Sequence, residues 1–290
     1  MARSDEPDYV FRDRHPERHE VYALYDAESE RTRQGAYCLL DLPYGPHPRM
    51  RFDLFPGGRH APLAVFFHGG YWQSLDKQRF SFVANSFLSR GFSVALPNYP
   101  LAPETSPEQI ADAARSSIAA IIDAVTHETG QPASWLSTGH SAGGHLAVWA
   151  GIHARRHPAV AVVPFAGMAP VSGIFDVRPL VGTSLNRALR LTTGRAARLS
   201  PINCGWPAAA YRVMVGADET SGFLGQAAAF AEHVEAAGRD VKSLALAGLN
   251  HYTILKDFLS ARSAIAGVLE EMAENGGEPC RQAKRLQEAG

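Results

Sequence analysis

One stretch has the residue types and the spacing for covalent chemistry. Gly139-His140-Ser141-Ala142-Gly143 follows the short run Ser134–Thr138 and passes straight into an alanine-rich helical pattern. A G-x-S-x-G element set between strand and helix puts its serine on a sharp, strained turn, exposed to attack a carbonyl. Gly139 and Gly143 suit that turn, because a Cβ at either place would crowd the adjoining strand or helix. A serine hydroxyl is a weak nucleophile at neutral pH. It needs a base to take its proton, and the base needs an acid to hold it.

On such an architecture the partners follow later in the chain, at the C-terminal ends of strands. Val213–Glu219 places Asp218 just after a strand and a glycine turn, and Leu246–His251 places His251 just after the next strand. The expected triad is therefore Ser141, Asp218 and His251, with Glu219 a competing acid one residue away. Among 12 histidines, only His251 sits on a loop after the terminal strand. His145, one turn past the serine, reads as a packing or hydrogen-bonding residue. His153 and His157 end the same helix, where cations suit its dipole. His15, His19, His47 and His60 read as surface.

Acyl transfer also needs backbone N–H groups aimed where negative charge develops. The amide of Ala142 is one expected donor. Gly69 and Gly70, in His68-Gly69-Gly70-Tyr71-Trp72 after another apolar strand, supply the others. His68 itself reads as a brace for that loop.

These residues must be carried by alternating elements. The pattern predicts strands at Ala36–Leu42, Met50–Phe55, Pro62–Phe67, Phe92–Pro97, the elbow strand, Val160–Phe165, Tyr211–Val215 and Val241–Leu246. Arg51–Phe55 alternates polar and apolar, as in an edge hairpin with one wet face. Helices are expected over Pro16–Gln34, Lys77–Arg90, Pro107–Glu128 (with Ser106 as N-cap), the residues after Ser141, Leu224–Ala237 and Ile254–Met272. Residues 1–15 read as polar and irregular. Buried strands alternating with helices imply a mostly parallel sheet of about eight strands with helices on both faces. Residues 1–35 form an N-terminal arm and helix, 36–275 a single domain with a small inserted cap at about 175–207, and 276–290 a tail.

Composition narrows the classes further. A hydrophobic share of 46% against 20% charged residues is that of an ordinary globular chain, and a net charge of −1 gives no footprint for nucleic acid or an anionic membrane. Three scattered cysteines without C-x-x-C argue against a disulfide framework or zinc site and fit a cytoplasmic location. No apolar run reaches the ~20 residues of a membrane span. No P-loop or dinucleotide glycine pattern occurs, so neither cofactor nor metal is expected. The expected partner is a small-molecule ester or amide, and a homodimer is compatible with the sequence.

With these residues in view, the chain resembles the α/β-hydrolase superfamily, and within it the kynurenine formamidase (arylformamidase)-like group. His68-Gly69-Gly70-Tyr71-Trp72, Gly139–Gly143, Gly216–Glu219 and Asn250–Leu255 carry the likeness, over about Tyr37 to Ser260. The resemblance implies the α/β-hydrolase fold and removal of formate from N-formyl-L-kynurenine by serine acyl transfer. Tyr71, Trp72 and Tyr99 would then stand at the pocket mouth to stack on an aryl substrate, with His140 beside it. A residue other than glycine after His68-Gly69-Gly70 would narrow the acyl pocket. Arg178, Arg187, Arg190, Arg195 and Arg198 of the cap are candidate receptors for a substrate carboxylate. A short-chain carboxylesterase without formamidase activity is the alternative, and a non-catalytic ligand receptor on this scaffold a more distant one.

Overall fold

The computed structural model describes residues 5–275. Its centre is an eight-stranded sheet in the order β1-β2-β4-β3-β5-β6-β7-β8. The strands are β1 (Leu39–Pro43), β2 (Arg51–Phe55), β3 (Leu63–Phe67), β4 (Ser93–Pro97), β5 (Trp135–His140), β6 (Phe165–Val171), β7 (Ala210–Gly216) and β8 (Val241–Leu246). Pairing from β4 through β3 to β8 is parallel, while β1–β2 and β2–β4 are antiparallel. The helices are α1 (Glu6–Tyr9), α2 (Arg18–Gly35), α3 (Val83–Leu88), α4 (Pro107–Thr129), α5 (Ala142–His153), α6 (Pro158–Ala161), α7 (Asn186–Leu189), α8 (Thr193–Leu199), α9 (Ser221–Ala236) and α10 (Ala264–Asn275).

The period of two along β3 shows why helices cover both faces. Leu63, Val65 and Phe67 pack with Ile118 and Ile121 of α4 on one side. Ala64 and Phe66 pack with Phe80, Phe87 and Phe258 on the other. All five β3 side chains are buried, each large one worth roughly 1.5–3 kcal/mol relative to exposure. The helix α4 begins at a full capping box, Ser106 with Gln109, and carries Ile110, Ala114, Ile118, Ile121, Ile122 and Val125 inward.

Four local expectations give way. The strand expected at Val160–Phe165 lies one element later, at β6: Pro158 starts the short α6, and Gly167 and Pro170 had disguised the strand that follows. The β2 strand has no wet face. Asp53 is completely buried and accepts from Lys77 Nζ at 2.7 Å, a lysine that also reaches Asp41 Oδ1 at 2.7 Å. The segment after the His-Gly-Gly loop divides into a 3₁₀ turn, Lys77–Phe80, and α3. The closing helix divides likewise, because Asp257 accepts from the amides of Ala264 and Ile265 and so starts α10 afresh.

The first residues are the larger surprise. Residues 5–15 form α1 and a 3₁₀ turn at Arg12–Arg14, and Tyr9 and Phe11 are buried. Tyr9 Oη accepts from Gln226 of α9, and Thr220 Oγ1 donates to Asp8 O at 2.7 Å. Two aromatic residues among charges leave no periodic signal, which is why this arm read as irregular. The tail expected at 276–290 lies outside the described residues. Among the described residues no helix is long and apolar enough to cross a membrane.

Candidate active site

The strand β5 and helix α5 meet at Ser141, whose φ of 58° and ψ of −122° lie where few residues other than glycine go. The site tolerates that strain because its neighbours leave no slack. A Cβ at Gly143 would stand 2.0 Å from the carbonyl oxygen of Phe67, and one at Gly139 would stand 2.4 Å from that of Gly143. The Ser141 amide donates to Val171 O on β6 at 3.0 Å, which pins the turn to the sheet. The first amides of a helix have no partner within it, so the Ala142 N–H, next to Ser141 at the start of α5, has no intrahelical acceptor.

The loop after β3 closes over this turn. A Cβ on Gly69 would lie 3.2 Å from Ser141 Cβ, so Gly69 stands against the serine. Gly70 has φ of 111°, and its carbonyl accepts from the amides of Gln73 and Ser74 in a tight turn. Two further positive-φ residues follow, Tyr71 and Trp72. The loop is braced from below by buried polar groups. His68 stacks on Tyr99 with centroids 4.4 Å apart, and its Nε2 lies 3.1 Å from Asn98 Oδ1. Tyr99 Oη donates to His68 O at 2.7 Å, and Arg49 Nε donates to Tyr99 O at 2.9 Å. Burial lowers the His68 pKa to about 4, so the ring stays neutral as a brace.

His251 follows β8 and is oriented by a carboxylate, but not by Asp218. Its Nδ1 lies 2.7 Å from Glu219 Oε2, and the Glu219 carboxylate is wholly buried. The other oxygen accepts from the Gly216 amide at 3.0 Å and from Ser172 Oγ. Asp218 is exposed, its amide held by Leu249 O at 3.1 Å. The turn after β7 thus presents Asp218 to solvent and folds Glu219 back beneath the histidine. With the Glu219 oxygens accepting from the Gly216 amide, from Ser172 Oγ and from His251 Nδ1, the histidine's Nε2 is left without that carboxylate as a partner.

An aromatic cage fixes the imidazole plane. Phe223 lies 4.2 Å from it between centroids, His140 4.6 Å, and Phe11 5.3 Å edge-on. His140 is buried, and desolvation, reinforced by the charge of a protonated His251, drives its pKa well below 6.5.

One cavity gathers Ser141, His251, His140, Gly70 and Tyr71, and it admits about 30 Å³ of water-sized volume. The volume is close to that of one or two waters. Its remaining wall comes from residues the sequence left unassigned: Arg12 on the arm, Tyr22 and Tyr25 on α2, Tyr252, and the apolar Leu75, Phe80 and Leu255. Two expected substrate contacts lie elsewhere. Tyr99 is completely buried under the His-Gly-Gly loop, and Trp72 packs edge-on against His145 at 5.0 Å within the core. His145 in turn donates Nε2–H to Leu199 O at 2.8 Å, tying α5 to the cap. The cap arginines stay outside the cavity lining; Arg178 pairs with Asp176, and Arg195 with Glu108 of α4. Among the described residues no group of three or more His, Cys, Asp or Glu is placed to hold a metal ion.

Comparison with known proteins agrees with this geometry. The BD-FAE family model matches residues 56–167, the stretch that holds the His-Gly-Gly loop and the serine turn. A kynurenine formamidase of Danio rerio is 28% identical over 254 residues, 84% of this chain and 85% of that one. A kynurenine formamidase of Salmo salar is 33% identical over 177 residues, 60% of this chain and 58% of its own. A solved structure from Silicibacter sp. TM1040, described as a candidate thioesterase, superposes with a TM-score of 0.79 at 29% identity, covering 91% of this chain and 98% of its own. Esterase B of Lactobacillus rhamnosis superposes with a TM-score of 0.70 at 16% identity, covering 93% and 96%, a likeness of fold. Fold, matched family model and relatives converge: the chain has the α/β-hydrolase fold, is a hydrolase, and is similar to formamidases and carboxylesterases.

Proposed function

We propose that the protein hydrolyses aryl formamides such as N-formylkynurenine, through a formyl-enzyme on Ser141. The observation that carries this reading is the lining of the cavity at Ser141: a narrow space in which the serine, His251 and Gly70 share the wall with Tyr22, Tyr71 and Tyr252, as suits a small acyl group on an aromatic amine.

In the proposed reaction Ser141 Oγ attacks the formyl carbon while His251 Nε2 takes its proton. Glu219 stabilises the imidazolium, and the amides of Gly69, Gly70 and Ala142 receive the developing oxyanion. Collapse of the tetrahedral intermediate breaks the C–N bond, and His251 returns the proton to the departing aryl amine. A water then attacks the formyl ester with His251 again as base, releasing formate. A cytoplasmic setting suits Cys38 and Cys204, both free thiols.

The test compares kcat/KM for N-formylkynurenine with that for phenyl acetate, on wild type and Ser141→Ala. Preferential formamide turnover, abolished in the variant, is expected. Ester turnover without formamide cleavage would instead make the protein a short-chain carboxylesterase, and full activity in Ser141→Ala would overturn both readings.

A further inference from the structure

The cavity wall contains one formal charge that the acyl-transfer chemistry does not use. Arg12 lies on the 3₁₀ turn of the N-terminal arm and lines the same cavity as Ser141 and His251. Its side chain is exposed to solvent, and among the described residues its guanidinium has neither a hydrogen-bond acceptor nor a carboxylate partner. Its arginine neighbours are all engaged. Arg14 donates to Pro7 O, Arg18 donates to the carbonyls of Arg12 and His15, and Arg79 pairs bidentately with Asp26. Of the nearby carboxylates, Glu219 is engaged with His251 and Glu17 with His15 and Asn250, and Asp13 on the same turn makes no ion pair with Arg12. A cation left without a partner at a substrate cavity is a receptor in need of an anion.

The backbone beneath Arg12 is held on both sides. Tyr71 Oη donates to Tyr9 O at 2.7 Å, Phe11 packs edge-on against His251 and Phe223, and Arg18 clamps Arg12 O at 2.6 Å. The guanidinium is therefore delivered from a fixed point. Its charge is felt by the hydroxyls of Tyr22, Tyr71 and Tyr252, all of which its field favours in the ionised form. The hydroxyl of Tyr71 is already given to Tyr9 O, whereas those of Tyr22 and Tyr252 stand as neutral donors around the same spot, since burial keeps them protonated at neutral pH.

We propose that Arg12, with the surrounding tyrosine hydroxyls, is a subsite for an anionic group, a carboxylate by preference, on the leaving portion of the substrate. It rests on the reading of Ser141 as the nucleophile, and it makes the N-terminal arm the specificity element of the site. None of the cap arginines lines this cavity, and Arg178 and Arg195 are paired with Asp176 and Glu108, which leaves this role to Arg12. The fork of a guanidinium matches a carboxylate in a way that a lysine ammonium does not.

The experiment separates binding from turnover. Affinity for 3-hydroxybenzoate and for the neutral 3-hydroxybenzamide is measured by calorimetry on Ser141→Ala and on Ser141→Ala/Arg12→Met. The carboxylate should bind more tightly than the amide, and Arg12→Met should weaken the carboxylate about 10–100-fold while moving the amide far less. Arg12→Lys should recover part of the loss, and raising salt should weaken the carboxylate alone. Equal affinity for both compounds, or a carboxylate affinity unmoved by Arg12→Met, overturns the proposal. In the Ser141-intact protein, the matched esters 3-acetoxybenzoate and 3-acetoxybenzamide report the nucleophile separately. Failure to hydrolyse either removes the Ser141 reading, whereas an unchanged ratio of their kcat/KM values in Arg12→Met removes the anion subsite.

Discussion

The carboxylate of Glu219 lies 2.7 Å from His251 Nδ1, while Asp218, one residue earlier, faces solvent. The pairing decides which acid serves the histidine. Glu219→Gln should lower kcat by about 10³–10⁴-fold, because an amide at this place favours the wrong imidazole tautomer. Asp218→Asn should leave kcat/KM at the wild-type level. Steady-state kinetics on the two variants is the check, and the opposite ranking would return the role to Asp218.

The oxyanion loop rests on Tyr99 rather than presenting it to substrate. Tyr99→Phe removes the donor to the carbonyl of His68 and leaves buried acceptors unpaired, at a cost of about 1–3 kcal/mol in stability. A loop that sags by a fraction of an ångström spoils transition-state contacts more than ground-state ones. The expected outcome is a kcat about tenfold lower with KM little changed. A raised KM at constant kcat would instead mean that Tyr99 touches substrate.

Lys77 carries a buried charge between two carboxylates, and β1, β2 and the oxyanion loop's exit all depend on it. Lys77→Met alone strands Asp53 in the core and should cost about 3–5 kcal/mol. The paired change Lys77→Met with Asp53→Leu should restore much of that loss. Chemical denaturation of the three proteins measures both numbers.

Three buried histidines set an acid limit on the fold. His68 and His145 are pushed down to about 4 by burial, and His140 falls well below 6.5 for the same reason. In the unfolded chain each binds its proton near 6.5. Between those values the unfolded state holds more protons, so stability is full above pH 6.5 and falls as pH drops toward 4. The loss is at most on the order of 3 kcal/mol for each of His68 and His145. Thermal unfolding from pH 7.5 to 4.5 should show Tm falling below 6.5, with a shallower slope in His145→Gln.

Phe11 is the arm's contact with His251, the proposed base. Phe11→Ala should free the His251 ring and admit water, lowering kcat about 10-fold with a loss of about 3 kcal/mol in stability. The variant is judged by kcat together with Tm. A fall in Tm with kcat intact would make the contact structural alone.

The elbow, the place of His251 beside it and the parallel sheet could be read from the chain because each has a pattern of its own: small residues about Ser141, a histidine after the last strand, apolar runs alternating with helices. What escaped had no such pattern. Asp218 and Glu219 are equivalent on paper, and only the hydrogen bonds of the turn at Gly216 tell them apart. Tyr71 and Trp72 are consecutive aromatics, yet two positive-φ residues in a row turn the first into the cavity and the second into the core. Tyr9 and Phe11 lie among charges, and their burial depends on partners more than 200 residues away. Long-range pairing of that kind leaves no local periodicity to read.

The arm that carries Phe11 and Arg12 sits at the margin of the sheet it serves, tied down by a few side-chain bonds. The arrangement separates two kinds of change in the history of such a chain. Substitutions in the central strands disturb folding before they alter choice of substrate. A different arm of a dozen residues, keeping its tyrosine and phenylalanine anchors, can present another charge to the same serine and give a descendant a new diet without rebuilding its core.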